Sequence, residues 1–141
     1  MKLIKGNSHT DNRGTIRFVN DFNFEGVKRF YSITHPDTST IRAWQGHKIE
    51  TKFFYVTMGS FLMNWIKIDD WDKPSKNLKI NSHILSDQQS EVLMVAPGHA
   101  NGFKALLPDS TLIVYSDLSL EESKSDDYRF PVDYWKIEIS R

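Results

Sequence analysis

The chain has no cysteine, so disulfides, zinc–thiolate sites and thiol nucleophiles are excluded together, and any chemistry must come from His, Lys, Tyr or carboxylates. It has no net charge, since 18 Lys plus Arg balance 18 Asp plus Glu. A whole-molecule field that would draw in nucleic acid or an anionic membrane is therefore missing, and an anionic ligand has to be held by local charges. No apolar run approaches the ~18 residues of a membrane span, and Met1-Lys2-Leu3-Ile4-Lys5-Gly6 is too short and too charged for a secretory segment. A soluble, cytoplasmic protein without nucleic-acid or membrane partners is expected. Helical periodicity is scarce as well: Leu118 to Ser125, with Glu121 and Glu122, allows a turn or two. There is no internal repeat and no low-complexity segment, and 141 residues suit one domain spanning 1–141.

What the chain does have is aromatic residues, 13% of the total, in short runs broken by Gly, Pro, Asn, Asp and Ser. That is the punctuation of strands and turns. Thr51 to Met58, closed by Gly59-Ser60 and followed by Phe61 to Ile68, predicts a hairpin of two long strands. Glu91 to Val95 and Thr111 to Tyr115 predict a second pair, and Thr15 to Val19, Lys28 to Ile33 and Leu78 to Ile80 predict shorter strands. The tail from Asp126 to Arg141 is aromatic enough to pack. Many short strands at near-regular spacing point to an all-β sandwich or small barrel.

One stretch departs from this pattern. Ile41-Arg42-Ala43-Trp44-Gln45-Gly46-His47-Lys48 gathers cations, an amide and an imidazole just before the longest apolar strand. On strict alternation, Gln45 and His47 share one face with Ala43, while Arg42, Trp44, Gly46 and Lys48 take the other. Lys52 has the wrong parity to join Gln45 and His47 without a bulge or bend. Such a group suits proton transfer beside a carbonyl, with His as the base and Lys or Arg holding the developing enolate. From spacing alone, an exposed polar strand end fits equally well. His9, His35 and His83 are expected in solvated loops, and His99, after Pro97-Gly98, at a turn or a pocket rim. His47, Glu50 and His99 are too few to predict a metal site.

Several motifs in order resemble the dTDP-4-dehydrorhamnose 3,5-epimerase superfamily and, more closely in layout, the dTDP-4-keto-6-deoxyglucose 3,4-ketoisomerases, over roughly residues 11 to 135. Asp11-Asn12-Arg13-Gly14 looks like the family's opening D-x-R-G, and Arg29-Phe30-Tyr31 like its R-x-Y strand. Arg42 to Lys48 occupies the place of R-G-x-H-x-H-K, Ala96 to Phe103 that of I-P-x-G-x-A-H-G-F, and Tyr115-Ser116-Asp117 the strand before the family's tyrosine. The resemblance implies an antiparallel jelly-roll barrel of the cupin type, strand-exchanged into a homodimer, that binds a nucleoside-diphosphate 4-keto-6-deoxysugar without metal or organic cofactor. His47 and Lys52 would be catalytic. Arg13 (within the chain or across a dimer interface), Arg29, Tyr31, Arg42, Gln45, Lys48, His99 and Asn101 would line or bind. Two departures weigh against a two-base 3,5-epimerisation. Gln45 stands where the family has its principal histidine base, and Leu120 where it has its catalytic tyrosine. A one-base reaction through His47, such as 3,4-ketoisomerisation, survives both losses; a cavity that binds without catalysing is the alternative.

Overall fold

In the computed structural model, which describes residues 1–137, the aromatic runs become strands of two facing sheets. Along the chain come β1 (Lys2–Lys5), β2 (Asn7–Asp11), β3 (Gly14–Phe18), β4 (Arg29–His35), β5 (Ile41–His47) and β6 (Lys52–Met58). They are followed by β7 (Ser60–Lys67), β8 (Asn81–Ser86), β9 (Glu91–Val95), β10 (His99–Ala105), β11 (Ser110–Ser116), the short helix α1 (Leu120–Lys124) and β12 (Tyr128–Arg129). One sheet has the order β1-β9-β6-β11-β4, the other β12-β5-β10-β7-β8, and β2-β3 forms a separate hairpin. All pairings are antiparallel. The last four residues of the expected tail and of the 1–141 domain lie outside the described residues. Among the described residues no helix is long and apolar enough to cross a membrane, which says nothing of strands.

Alternation explains the sandwich. On β6, Lys52, Phe54 and Val56 are buried, and on β11 Ser110, Leu112, Val114 and Ser116 are buried, while the residues between them face outward. Phe61, Met63 and Trp65 of β7 and Phe103 of β10 meet Phe54, Val56, Leu112 and Val114 in one core. β7 is buried on both faces, because Trp44, Ile66, Ala100 and Trp135 build a second core behind its sheet. Trp44 fixes that layer by donating its Nε1–H to the Trp135 carbonyl at 2.9 Å.

The predicted hairpin at Gly59 is not one. β6 pairs with β9 and β11, β7 pairs with β8 and β10, and the chain passes from one sheet to the other at Gly59. The corner is held by side chains remote in sequence: Gly59 N–H donates to Asp87 Oδ2 at 2.9 Å, and Ser60 N–H to Ser110 Oγ at 3.0 Å. Gly59 has φ 79°, and an added Cβ would stand 2.1 Å from Ser110 Oγ. Gly59→Ala should therefore cost about 2 kcal/mol or more, from left-handed backbone plus overlap. Gly98→Ala, also at positive φ but with open space around it, should cost visibly less; thermal unfolding of the two variants checks the ordering.

The second predicted pair is also corrected. β9 and β11 share a sheet but are separated by β6, and the segment joining them contains β10, which its glycine and lack of β-branched residues concealed. Leu78–Ile80 is not a strand; β8 begins at Asn81. The helical turn was legible: Ser119 caps α1 in a capping box with Glu122.

Candidate active site

Between the sheets lies a cavity of about 490 Å³, within the range of small-molecule sites. One wall, from β4, β6 and β11, presents Tyr31, Ile33, Lys52, Phe54 and Val114; the other, from β5 and β10, presents Arg42, Gln45, Asn101 and Phe103. Ile41, Ala43 and Trp44 of β5 and Arg129 and Phe130 of the C-terminal segment complete the lining.

Strict alternation misplaced Arg42. Asn101 of β10 pairs with Gln45 but Gly102 pairs with Ala43, which leaves Trp44 as an extra residue in β5. This bulge resets the parity, so Arg42 and Gln45 both reach the cavity, and Trp44, which also borders it, packs its ring into the second core. The parity objection to Lys52 also lapses, because Lys52 begins β6 in the opposite sheet and faces Gln45 across the cavity. Its Nζ donates to Gln45 Oε1 at 2.9 Å, and Gln45 Nε2 donates to Asp127 Oδ1 at 3.1 Å. Asp127 in turn accepts from Arg129 Nε at 2.6 Å, and this guanidinium holds its carboxyl below the usual range. Lys52 is 4% exposed; burial pushes its ammonium down to about 8.

His47 stands beside this chain of hydrogen bonds, 3% exposed, without lining the cavity. Its Nδ1 lies 2.7 Å from the Asp126 carbonyl oxygen. A carbonyl only accepts, so Nδ1 carries the hydrogen and Nε2 the lone pair. That Nε2 is buried and has no partner. Burial, and then the Lys52 charge, lower the pKa of the imidazole, so His47 is a neutral base at pH 7.

Asp126 is the organising residue that the sequence did not disclose. Its carboxylate accepts from the backbone N–H groups of Lys48, Ile49 and Glu50 at 2.7, 2.9 and 2.8 Å, which fixes the turn between β5 and β6. Glu50, 1% exposed, accepts from Ser116 Oγ and from Ser123 Oγ. His47, Glu50 and Asp126 each bring a ligand-type atom within 4.8 Å of the others, with Asp126 in the place expected of His99. These oxygens are already committed to hydrogen bonds within the fold, which describes a structural knot better than an open ligand set.

The remaining expected residues divide. Tyr31 lines the cavity and burial raises its pKa, so the phenol stays protonated. Asn101 lines it with an amide nitrogen that is buried and unpartnered. Arg42 Nε donates to His35 Nε2 at 3.1 Å. His35, expected in a solvated loop, is 2% exposed at the end of β4 and stacks on Phe103. Arg29 lies behind the cavity, with one terminal nitrogen 3.2 Å from Ser123 Oγ and 3.9 Å from Glu50. Lys48 turns away, its Nζ 4.8 Å above the Tyr128 ring. His99, expected at a turn or a pocket rim, is the first residue of β10, paired with His47 and Lys67; it does not line the cavity, and its Nδ1 lies 3.0 Å from the Ala96 carbonyl oxygen. Arg13 sits at the β2-β3 turn, paired with Asp11 at 2.6 Å and away from this chain's cavity. His83 is in β8 rather than a loop, bonded to Glu91 at 2.7 Å. Leu120, where the resemblance expects a tyrosine, is 59% exposed on α1.

No family model and no curated protein matches this chain. Solved structures do. A dTDP-4-dehydrorhamnose 3,5-epimerase of Sulfolobus tokodaii superposes with a TM-score of 0.76 at 22% identity, over 97% of this chain and 80% of its own. The RmlC epimerase of Mycobacterium tuberculosis gives 0.73 at 18%, over 91% and 67%. The sugar 3,4-ketoisomerase QdtA of Thermoanaerobacterium thermosaccharolyticum, in complex with TDP, gives 0.70 at 22%, over 94% and 90%. At these identities the likeness establishes the fold alone, the two-sheet antiparallel β fold that these epimerases and ketoisomerases share.

Proposed function

We propose that this cupin barrel is a nucleotide-sugar isomerase, acting on a dTDP- or UDP-linked 4-keto-6-deoxyhexose by proton transfer next to the ketone, in the cytoplasmic synthesis of deoxysugars for a surface polysaccharide. The carrying observation is the buried, unpartnered Nε2 of a neutral His47 beside a cavity that holds a cation, Lys52, and two guanidiniums, Arg42 and Arg129. The solved epimerases and ketoisomerases that share the fold support the same reading. A ketone oxygen offered to Lys52 would replace Gln45 Oε1 as its acceptor, and opening that hydrogen bond gives His47 access to the neighbouring C–H. The imidazole takes the proton, the ammonium holds the enolate oxygen, and the proton returns to the adjacent carbon. One base suffices for a 3,4-shift of the carbonyl.

Arg42 has its Nε on His35, which leaves its terminal nitrogens for the diphosphate. Arg42→Ala should weaken dTDP binding roughly 10- to 100-fold by calorimetry, on the ordinary worth of a charged hydrogen-bonded pair. The reaction itself is tested in heavy water with dTDP-4-keto-6-deoxyglucose: exchange at C3 alone supports the one-base isomerase, and exchange at both C3 and C5 shows that another group replaces the missing pair. Binding without exchange favours a sugar-nucleotide-binding cupin, the second reading, which rests on Gln45 being locked between Lys52 and Asp127 and on Leu120 lying on the surface.

A homodimer belongs to the same proposal. Phe24 and Phe30, 60% and 69% exposed, form with Phe22, Phe53 and Tyr115 an aromatic patch on the outer face of the β6-β11-β4 sheet, the kind of surface a partner covers.

A further inference from the structure

His35 stands at the end of β4, the edge strand of its sheet, with 2% of its surface exposed. Its ring packs on those of Phe61 and Phe103, with 5.5 and 5.8 Å between centroids. The Nε–H of Arg42, on β5 of the facing sheet, can only donate. Its bond of 3.1 Å to His35 Nε2 therefore assigns the lone pair to Nε2 and the hydrogen to Nδ1. That Nδ1 is buried and has no partner. Burial, and then the Arg42 charge, hold the imidazole pKa below its usual value, so the lone pair on Nε2 persists at neutral pH. Among apolar rings, a buried N–H without an acceptor is a liability that a Leu or Phe would avoid. Packing therefore gives no reason for an imidazole at this position, whereas the acceptor it offers Arg42 does.

Arg42 needs such an acceptor. Its side chain is exposed and lines the cavity. Among the described residues no carboxylate oxygen lies within 4.0 Å of its guanidinium, and His35 is its one hydrogen-bond partner through the side chain. Asp37, two positions after His35, has its Oδ1 taken by the backbone and hydroxyl groups of Ser39 and Thr40. An exposed arginine is otherwise free to sample many rotamers, which a ligand must freeze on binding. A bond at Nε fixes the plane of the guanidinium and leaves the N–H groups of its two terminal nitrogens for an anion. We infer that His35 is a positioning residue, whose neutral imidazole holds the Arg42 guanidinium ready to take a diphosphate in the cavity. This deepens the reading above and rests on it for the class of ligand. It also accounts for a neutral partner rather than an acidic one, because a carboxylate at the same place would compete with the phosphates for the cation.

The test is a double-mutant cycle on the full chain, read by calorimetry with dTDP and, separately, with inorganic pyrophosphate. His35→Leu keeps much of the volume and removes the acceptor. It should weaken binding of both anions roughly 3- to 10-fold, the worth of one pre-ordered long side chain. The melting temperature should stay level or rise, since the unpaired Nδ1–H goes with the ring. In an Arg42→Ala background the same substitution should change affinity by less than about twofold, because the partner through which it acts is gone. His35→Gln, whose amide oxygen restores an acceptor, should return affinity to within about twofold of the wild type. Binding by His35→Leu as tight as the wild type, a loss that persists without Arg42, or no rescue by Gln overturns the inference, and dTDP binding in the wild type then leaves the sugar-nucleotide reading standing. A lower melting temperature with unchanged affinity also overturns it and marks His35 as a clasp between the sheets. Pyrophosphate bound in the expected pattern without dTDP supports the inference and sinks the nucleotide reading, whereas binding of neither anion sinks both. Should His35→Leu fail to fold, NMR of the arginine Nε–H groups decides. In the wild type and in His35→Gln the Arg42 Nε–H should exchange slowly with water and shift on adding pyrophosphate, and exchange as fast as that of a solvated arginine overturns the inference.

Discussion

His47→Asn should reduce C3 proton exchange by about 10²- to 10⁴-fold, the ordinary contribution of a positioned general base, while dTDP affinity changes by less than about threefold, well under the tenfold that 1.4 kcal/mol represents. The split follows from where the imidazole sits. It does not line the cavity, so a ligand that only binds should not register its loss. Its Nδ1–H is spent on the Asp126 carbonyl, and its Nε2 lone pair is spent on nothing. An amide in that place has no lone pair that accepts a proton at neutral pH. Because burial and the Lys52 charge lower the imidazole pKa, the neutral base persists below pH 6.5, and the acid limb of the wild-type exchange profile should fall below the usual histidine range. Exchange by His47→Asn at the wild-type rate would remove the imidazole from the mechanism.

The strands were legible and their partners were not. Short apolar runs bounded by turn residues located β6, β7, β9 and β11; β6 and β11 alternate, whereas β7 and β9 are almost continuously buried. Whether β6 and β7 fold onto each other or part into two sheets is decided at Gly59 by Ser110 and Asp87, residues 51 and 28 positions on, and no local pattern reports that. β10 was read as a turn because Gly102 interrupts it; the glycine is there because a Cβ would meet the Ala43 Cβ at 2.6 Å in the neighbouring strand. In the site, Arg42, Gln45 and Lys52 were readable as a polar cluster ahead of a core strand, and their convergence was not, since it depends on the bulge at Trp44. Asp126, Asp127 and Arg129 went unrecognised because a tail that returns to a cavity has no periodicity of its own. Two acids beside a lone arginine in an aromatic segment were the available signal.

Those acids set the second large effect, on stability rather than rate. Asp126→Ala removes the acceptor of three backbone N–H groups in the turn from Lys48 to Glu50, and the residue is 2% exposed, so water does not readily replace it. A buried donor left unpaired costs about 1–3 kcal/mol; even at the low end, three such losses amount to roughly 3 kcal/mol, a fall of about 10 °C in melting temperature for a chain of this size. Asp126→Asn should recover only part of this, although it preserves the shape. Oδ2 accepts from both Ile49 and Glu50, so the amide that keeps its oxygen there still turns an NH₂ donor against the Lys48 N–H. Differential scanning calorimetry of both variants separates this from a packing effect, for which Asn would be nearly neutral. The hydrogen bond that orients His47 comes from the Asp126 backbone carbonyl and is retained in both. At temperatures where the variants remain folded they should therefore keep most of the proton exchange that His47→Asn loses, and a collapse of exchange in a folded Asp126→Asn would show that the carboxylate, beyond holding the turn, takes part in setting the base.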